Sequence, residues 1–145
     1  MSALVVDASV AVKWVIEEVG TKEALALRRH TLSAPDLLVA ECGNILWKKV
    51  RRKELSAPEA VFAAGLLARA DIELVAMRPY LEPATRIAAA LDHPAYDCFY
   101  IALAEAEGVR LVTADASLVR KVAQQASGRY AGLVRGLTDA AASPA

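Results

Sequence analysis

Four acidic side chains lie at positions of this 145-residue chain where acids are uncommon. Asp7 and Asp115 each end a short apolar run, whereas Glu41 and Asp97 share helical spacing with apolar neighbours. An ionised carboxylate that faces a protein core is strongly disfavoured unless it is paired or binds a metal ion. Four carboxylates that converge without a cation would also repel one another and tend to protonate. The pattern therefore predicts a metal site, and ligands made only of oxygen favour Mg²⁺ or Mn²⁺ over zinc.

The two acids that end apolar runs are followed by the same short sequence. Residues 7–9 and residues 115–117 both read Asp-Ala-Ser, and each tripeptide follows a predicted strand and opens a predicted helix. An aspartate or serine at such a junction is commonly a helix N-cap, so either tripeptide alone proves little. In parallel sheets, however, ligands gather beyond the carboxyl ends of the strands, where both acids are expected. Their occurrence together with Glu41 and Asp97 favours a metal site over simple capping.

Apolar strands alternate with helical segments along the chain, which is the order expected of a parallel sheet covered by helices on both faces. The predicted strands cover residues 3–7, 72–77 and 111–113, with a short last strand at 133–137. The predicted helices cover residues 10–15, 22–29, 37–52, 56–69, 79–91, 97–107 and 117–125. The Ser-Ala-Pro-Asp sequence at 33–36 is predicted to form a turn and the start of the next helix. The sequence thus indicates a single α/β domain.

Composition sets the outer limits of the interpretation. Seventeen basic and seventeen acidic residues balance, so no global field draws the protein onto nucleic acid or an anionic membrane. The two cysteines, Cys42 and Cys98, lie inside predicted helices, and so sparse a set indicates buried thiols in a reducing cytosol. No signal peptide and no apolar run of membrane-spanning length are apparent, so we expect a cytoplasmic protein.

Several motifs together resemble the PIN-domain ribonucleases, in particular the VapC-type toxin subunits of toxin–antitoxin pairs. The motifs are Val5-Val6-Asp7-Ala8-Ser9, Pro35-Asp36-Leu37 with Glu41 and Asn44, Tyr96-Asp97 with Tyr100-Ile101-Ala102-Leu103-Ala104, and Thr113-Ala114-Asp115. They span nearly the whole chain, with the four acids in family order. The resemblance implies a three-layer α/β/α PIN-like domain with a central, mainly parallel sheet over residues 1–137. A tail at 138–145, which has no large apolar anchor, is expected to fray.

The same resemblance implies divalent-metal-dependent hydrolysis of RNA. The implied catalytic acids are Asp7, Glu41, Asp97 and Asp115, of which Asp7, Asp97 and Asp115 would bind the metal. Mg²⁺, with Mn²⁺ as an alternative, can activate water, neutralise phosphoryl charge and support the leaving oxygen. His30 and His93 lie outside the predicted strand-end cluster, which counts against a paired-histidine nuclease or a serine triad.

Other side chains are candidates for supporting roles. Ser9, Asn44 and Thr113 would orient carboxylates, water or a phosphate, although each also fits an ordinary structural role as helix cap, surface residue or strand residue. Residues 48–53 form the only dense basic run in the chain. Its members Lys49, Arg51 and Arg52 would contact RNA phosphates, or the run is simply a solvated helix end.

Three partners follow from the resemblance: an RNA substrate, a cognate antitoxin protein and a second copy of the chain. Helices that carry Trp14, Trp47 or residues 66–67 are candidate apolar contact surfaces for the homodimer. No membrane partner is expected.

Two alternatives from other classes remain open at this point. A strand-end aspartate with Mg²⁺ also occurs in phosphoryl-transfer domains, but these place a lysine late in the sheet where this chain has Ala114-Asp115. The second alternative is a non-catalytic PIN module that binds RNA or protein. An intact acidic quartet argues against it.

Overall fold

The computed structural model describes residues 2–125 and 127–142 of the chain. Five strands form one sheet: β1 (Ala3–Val6), β2 (Thr31–Pro35), β3 (Glu73–Val75), β4 (Arg110–Thr113) and β5 (Val134–Gly136). Their order across the sheet is β3-β2-β1-β4-β5, and every neighbouring pair is parallel. The predicted α/β class with a parallel sheet is confirmed.

Helices fill the connections between the strands. They are α1 (Ala8–Ala11), α2 (Thr21–Ala26), α3 (Leu37–Arg51), α4 (Ala57–Ala68), α5 (Leu81–Leu91), α6 (Ala95–Glu107), α7 (Ala116–Gln124) and α8 (Leu137–Ala142). Short 3₁₀ segments extend α1 and α2 and lead into α5. Of the helices in residues 2–125 and 127–142, none combines the length and the apolar character that crossing a bilayer requires.

The helices lie in two layers, one on each face of the sheet. Right-handed connections between parallel strands place α1 to α4 on one face and α5 to α7 on the other. The contacts agree, because α3 packs on β2 and α1 on β4, while α5 packs on α6 and α7 on β5. Helix α6 contacts β1, β2 and β4 and is buried along most of its length. The three-layer α/β/α architecture is therefore present as predicted.

The centre of the sheet is apolar on both faces. Val5 and Val6 of β1 and Leu111 and Val112 of β4 are fully buried, as expected of parallel strands covered by helices on both sides. Val6 pairs in register with Val112, so the next residues along each strand, Asp7 and Thr113, are brought side by side. The register of these two strands thus fixes the position of the first acid.

Strand β2 was missed by the sequence prediction, which placed a turn at residues 33–36. The segment pairs with β1 on one side and β3 on the other, and Leu32 and Ala34 are buried beneath helices. Serine and proline made the segment resemble a turn. Pairing on both sides overrides that local preference, and Pro35 is tolerated because it lies at the end of the strand.

The predicted frayed tail is a helix over most of its described length. Helix α8 begins at Leu137, which is buried, and its Ala140 is also buried. The helix packs on α2, β4 and β5. Small side chains allow this close approach, so the lack of a large apolar anchor after Leu137 did not prevent packing. Residues 143–145 of the predicted tail lie outside the described residues.

Two helix ends carry clear local signals. Ser56 and Glu59 form a capping box at the start of α4, with both reciprocal hydrogen bonds made. Gly108 ends α6 in the left-handed conformation, with a φ of 68°. Cys42 and Cys98 are free and buried, as expected, and burial raises the pKa of these thiols to about 12 and about 11.

Two glycines provide a matched test of this backbone. Gly108 has a positive φ, so Gly108→Ala should destabilise the fold by about 1 kcal/mol. Gly43 lies in α3 with open space around an added Cβ, so Gly43→Ala should stabilise it by about 0.5–1 kcal/mol. We expect melting temperatures to move in opposite directions, each by about 2–4 °C. Shifts of the same sign would contradict the assigned helix end.

Candidate active site

The candidate site lies where the strand order of the sheet reverses. Asp7 follows β1 and Asp115 follows β4, and these two strands are neighbours. The chain leaves β1 for α1 on one face and leaves β4 for α7 on the opposite face. Connections that diverge in this way open a crevice beyond the carboxyl ends of the strands, which is where open α/β sheets bind ligands.

All four predicted acids line one cleft of about 560 Å³ at this point. Helix α3 forms one wall with Glu41, Asn44 and Lys48, and the start of α6 contributes Tyr96 and Asp97. Asp7, Ser9 and Asp115 lie at the strand ends. Six of the seven residues predicted as acids or supporting groups therefore line one cleft. The seventh, Thr113, is buried and donates a hydrogen bond to Asp7.

Asp7 is the most enclosed acid of the cleft. Its Oδ1 accepts hydrogen bonds from the Ser9 hydroxyl at 2.5 Å and from the Val10 amide at 3.3 Å. Its Oδ2 accepts a hydrogen bond from the Thr113 hydroxyl at 2.5 Å. Burial raises the pKa of Asp7 to about 6, against these hydrogen bonds and with a further contribution from the nearby Asp97 carboxylate.

Ser9 and Thr113 connect the two strand ends as well as holding Asp7. The Ser9 hydroxyl accepts a hydrogen bond from the Ala114 amide at 3.0 Å, and the Thr113 hydroxyl accepts one from the Asp115 amide at 3.0 Å. Both side chains therefore combine a structural role with the orientation of a carboxylate. Asn44 lines the cleft from an exposed position on α3.

Asp115 differs from Asp7 in exposure and in charge state. It caps α7, accepting hydrogen bonds at Oδ1 from the Ser117 hydroxyl and from the amides of Ser117 and Leu118. Partial burial alone would raise the pKa of Asp115, but these hydrogen bonds together hold it below its ordinary value. The capping interpretation is thus correct for this residue, which also lines the cleft, and its Oδ2 accepts no hydrogen bond among the described residues.

Glu41 is held by a tyrosine that the sequence analysis did not single out. The hydroxyl of Tyr100, a fully buried residue of α6, donates a 2.6 Å hydrogen bond to Glu41 Oε1. Burial raises the pKa of Glu41, opposed by this hydrogen bond and reinforced by Asp97. The two residues are 59 positions apart in sequence, and their helices meet only at the cleft beyond the strand ends, so local sequence patterns do not reveal the contact.

Asp97 has a histidine partner, and the expectation that His93 lies away from the acids was wrong. His93 Nε2 lies 2.7 Å from Asp97 Oδ2, and the two side chains are 15% and 30% exposed. The pair has the i, i+4 spacing of helical neighbours, which the sequence could have shown. His30 does lie elsewhere, beside Ser2.

The donor chemistry of the cleft fits a hard divalent cation. Asp97 Oδ1, Glu41 Oε2 and Asp115 Oδ2 accept no hydrogen bond within the described residues, so each is available as a ligand. Within the described residues, no three Asp, Glu, His or Cys side chains lie close enough together to hold a metal ion as they stand. A cation in the cleft would have to draw these oxygens together, and it would offset the burial and the Asp97 charge that raise the pKa of Asp7 and Glu41.

The basic run is arranged differently from the prediction. Lys49 lies off the acidic cleft and pairs with Glu18 at 2.7 Å and with Glu54 at 3.6 Å, so its charge is already neutralised. The Cζ atom of Arg51 lies 5.5 Å from the centroid of the Trp47 ring, a distance typical of cation–π pairs. Arg52 is exposed. Lys48, which was not among the predicted contacts, is the member of the run that lines the cleft.

The raised pKa of Asp7 leads to a prediction about stability and pH. Between about pH 4 and 6 the folded protein binds a proton at Asp7 more tightly than the unfolded chain does, so this residue makes stability fall as pH rises through that window. The change from 3.8 to about 6 corresponds to roughly 3 kcal/mol. With a chelator present, the melting temperature of Asp7→Asn should therefore equal or exceed that of wild type at pH 7.5. The difference in melting temperature should be smaller at pH 4.

Melting curves of both proteins across this pH range measure the effect. Glu41 is present in both proteins, so the difference between their melting temperatures reports on Asp7. An Asp7→Asn protein that melts below wild type at pH 7.5, or a difference that does not change with pH, would contradict the prediction.

Solved structures share this fold over 76–97% of the chain. PAE2754 from Pyrobaculum aerophilum is 22% identical, with a TM-score of 0.72, and the match covers 97% of this chain and 93% of that chain. VapC20 from Mycobacterium tuberculosis, described as a toxin that cleaves the sarcin–ricin loop, is 15% identical with a TM-score of 0.59, covering 76% of this chain and 86% of that chain. VapBC2 from Rickettsia felis, bound to a DNA fragment from its promoter, is 11% identical with a TM-score of 0.60, covering 92% and 98%.

Sequence comparison identifies the family. No curated protein matches the sequence significantly. The family model described as the PIN domain matches residues 4–124, a range that contains β2 to β4, all of β1 except Ala3, and all four acids of the cleft. The chain therefore belongs to the PIN domain family.

Proposed function

We propose that this chain is a divalent-metal-dependent endoribonuclease that acts as the toxin of a toxin–antitoxin pair and inhibits translation or growth. The observation that carries the proposal is the cleft at the strand-order reversal, which gathers Asp7, Glu41, Asp97 and Asp115 and leaves oxygens on three of them unengaged. PIN-domain membership supports the nuclease part. The fold shared with VapC20 and VapBC2 supports the toxin part.

Different residues of the cleft would bind the metal ion, position Asp7 and orient water. Asp7, Asp97 and Asp115 would hold Mg²⁺ or Mn²⁺, which when bound supplies activation of water and neutralisation of phosphoryl charge. Ser9 and Thr113 fix the Asp7 carboxylate through hydrogen bonds to both of its oxygens. Tyr100 holds Glu41 so that its free Oε2 can orient a water molecule beside a scissile phosphate.

Substitution of the acids tests the proposal directly. Asp7→Asn and Asp97→Asn should each lower Mg²⁺- or Mn²⁺-dependent cleavage of RNA by about 100-fold or more, because each removes a charged ligand. The rate is measured with a fluorescently labelled RNA, with and without a chelator. Asp71→Asn is the matched control, since Asp71 is an exposed acid outside the cleft.

Two outcomes would count against this assignment. Wild-type cleavage by the Asp7→Asn, Asp97→Asn double variant would place the reaction elsewhere. A wild-type protein that cleaves no RNA with either ion would favour the alternative of a non-catalytic PIN module.

The partners form a second part of the proposal. We expect a cytoplasmic homodimer that also binds a co-encoded antitoxin, whose basic side chains would occupy the acidic cleft in place of metal. Trp14 is unsuitable as a contact, because it is buried and its Nε1 donates a hydrogen bond to the Ala24 carbonyl. Of the other predicted contacts, Trp47 is 52% exposed and Leu66 is 36% exposed. Val61 and Phe62, which were not predicted, are more exposed on α4 and extend this apolar surface, which we propose as the dimer contact.

Light scattering after size exclusion tests the dimer. Wild type should elute with the mass of two chains, and Phe62→Glu should shift it toward the monomer, because a buried, unpaired charge would oppose the contact. Val19→Glu is the control, since Val19 is a highly exposed apolar residue on the loop before α2. A monomer at high micromolar concentration, unaffected by any co-encoded partner, would refute both associations.

A further inference from the structure

The acidic cleft has one cation and one exposed aromatic ring among its lining residues. Lys48 lies on the α3 wall, and Tyr96, which is 65% exposed, lies at the start of α6 beside Asp97. None of the ion pairs within the described residues involves Lys48. The Tyr96 ring projects largely into solvent. Both residues are thus free to meet a ligand that enters the cleft.

The position of Lys48 follows from helix geometry. Glu41, Asn44 and Lys48 have the i, i+3, i+7 spacing that places side chains on one face of a helix, and all three line the cleft. At 1.5 Å of rise per residue, Lys48 lies about 10 Å along α3 from Glu41. That length corresponds to about three nucleotides of a strand with about 3.4 Å of rise per nucleotide.

Other cations of the same run are differently engaged. Lys49 is neutralised by Glu18 and Glu54, and Arg51 stacks on Trp47. The run is therefore not a uniform basic patch, and Lys48 is the member placed to offset the negative charge that the acids present to an incoming phosphate.

Tyr96 offers a different kind of contact. It precedes Asp97 in the first turn of α6, and neighbouring residues on a helix point in directions about 100° apart, so the ring can stand at the rim while the carboxylate faces inward. Exposed aromatic rings beside a cationic group are the elements with which proteins hold single strands, the ring stacking on a base and the cation holding a phosphate. A base within a duplex offers no such free face.

We propose that Lys48 and Tyr96 are substrate-contacting residues of this cleft: Lys48 binds a backbone phosphate, and Tyr96 stacks on an unpaired base next to the cleavage site. The inference rests on the proposed ribonuclease function, and it adds the residues that position the strand and make the site prefer unpaired nucleotides.

Binding measurements on non-cleaving protein test the stacking contact. All variants carry Asp7→Asn, and the probe is a labelled 12-nucleotide RNA, used single-stranded or annealed to its complement, in the presence of Mg²⁺. Tyr96→Ala should weaken single-strand binding by about 5- to 100-fold, while Tyr96→Phe and Tyr96→Trp stay within about twofold of Tyr96. Leu81→Ala, the control for an exposed apolar side chain outside the cleft, should have no effect.

The salt dependence of the same binding tests Lys48. Lys48→Gln should reduce the slope of log affinity against log salt by about 0.7, the value for one lost phosphate contact on a single strand. Lys53→Gln is the matched control, because it removes the same charge from the same basic run at an exposed position off the cleft. Equal slopes for the two lysine variants would overturn the assignment of Lys48.

Two results would overturn the assignment of Tyr96: unchanged single-strand binding by Tyr96→Ala, or an equal loss with Tyr96→Phe, which would indicate a hydroxyl contact instead of stacking. Cleavage by the parent protein is measured separately. If the parent cleaves no RNA, the ribonuclease proposal fails, whereas the binding comparisons still decide whether Lys48 and Tyr96 hold a strand.

Discussion

The burial of one carboxylate at the centre of the sheet is the constraint on which the site depends. Asp7 follows a strand that is covered by helices on both faces, so it has little contact with water and is only 6% exposed. The fold tolerates it because Ser9, Val10 and Thr113 donate hydrogen bonds to its oxygens. The same donors tie β1 to β4, so the groups that hold the acid also set the geometry of the crevice.

The acids around Asp7 form a graded set. Burial raises the pKa of Asp7 and Glu41, whereas hydrogen bonds at the start of α7 hold that of Asp115 low. Asp115 thus keeps its negative charge to a lower pH than Asp7 or Glu41 does. Metal binding to such a set should release protons near pH 6, because the cation favours the ionised form of Asp7. The ionisation of Asp7 would therefore affect both the stability of the fold and the binding of a metal ion.

Much of this arrangement could be predicted from sequence, because it depends on local patterns. The strand-end positions of Asp7 and Asp115 and the helical spacing of Glu41 and Asp97 all placed acids on one sheet edge. Strand β2 was missed since its pairing on both sides, and not its own composition, decides its conformation. The contact between Tyr100 and Glu41 also depends on packing between distant helices. In contrast, the spacing of Lys48 from Glu41 and of His93 from Asp97 was visible and was overlooked.

The central claim is that the fold gathers these partly buried acids into a binding site for a divalent cation. Titration calorimetry of Mn²⁺ into the protein tests it most directly. At pH 7.5 wild type should bind Mn²⁺ with measurable heat, and Asp97→Asn should bind at least about 10-fold more weakly, while its melting temperature without metal is preserved. The same affinity in both proteins, or no binding by either, would contradict the account.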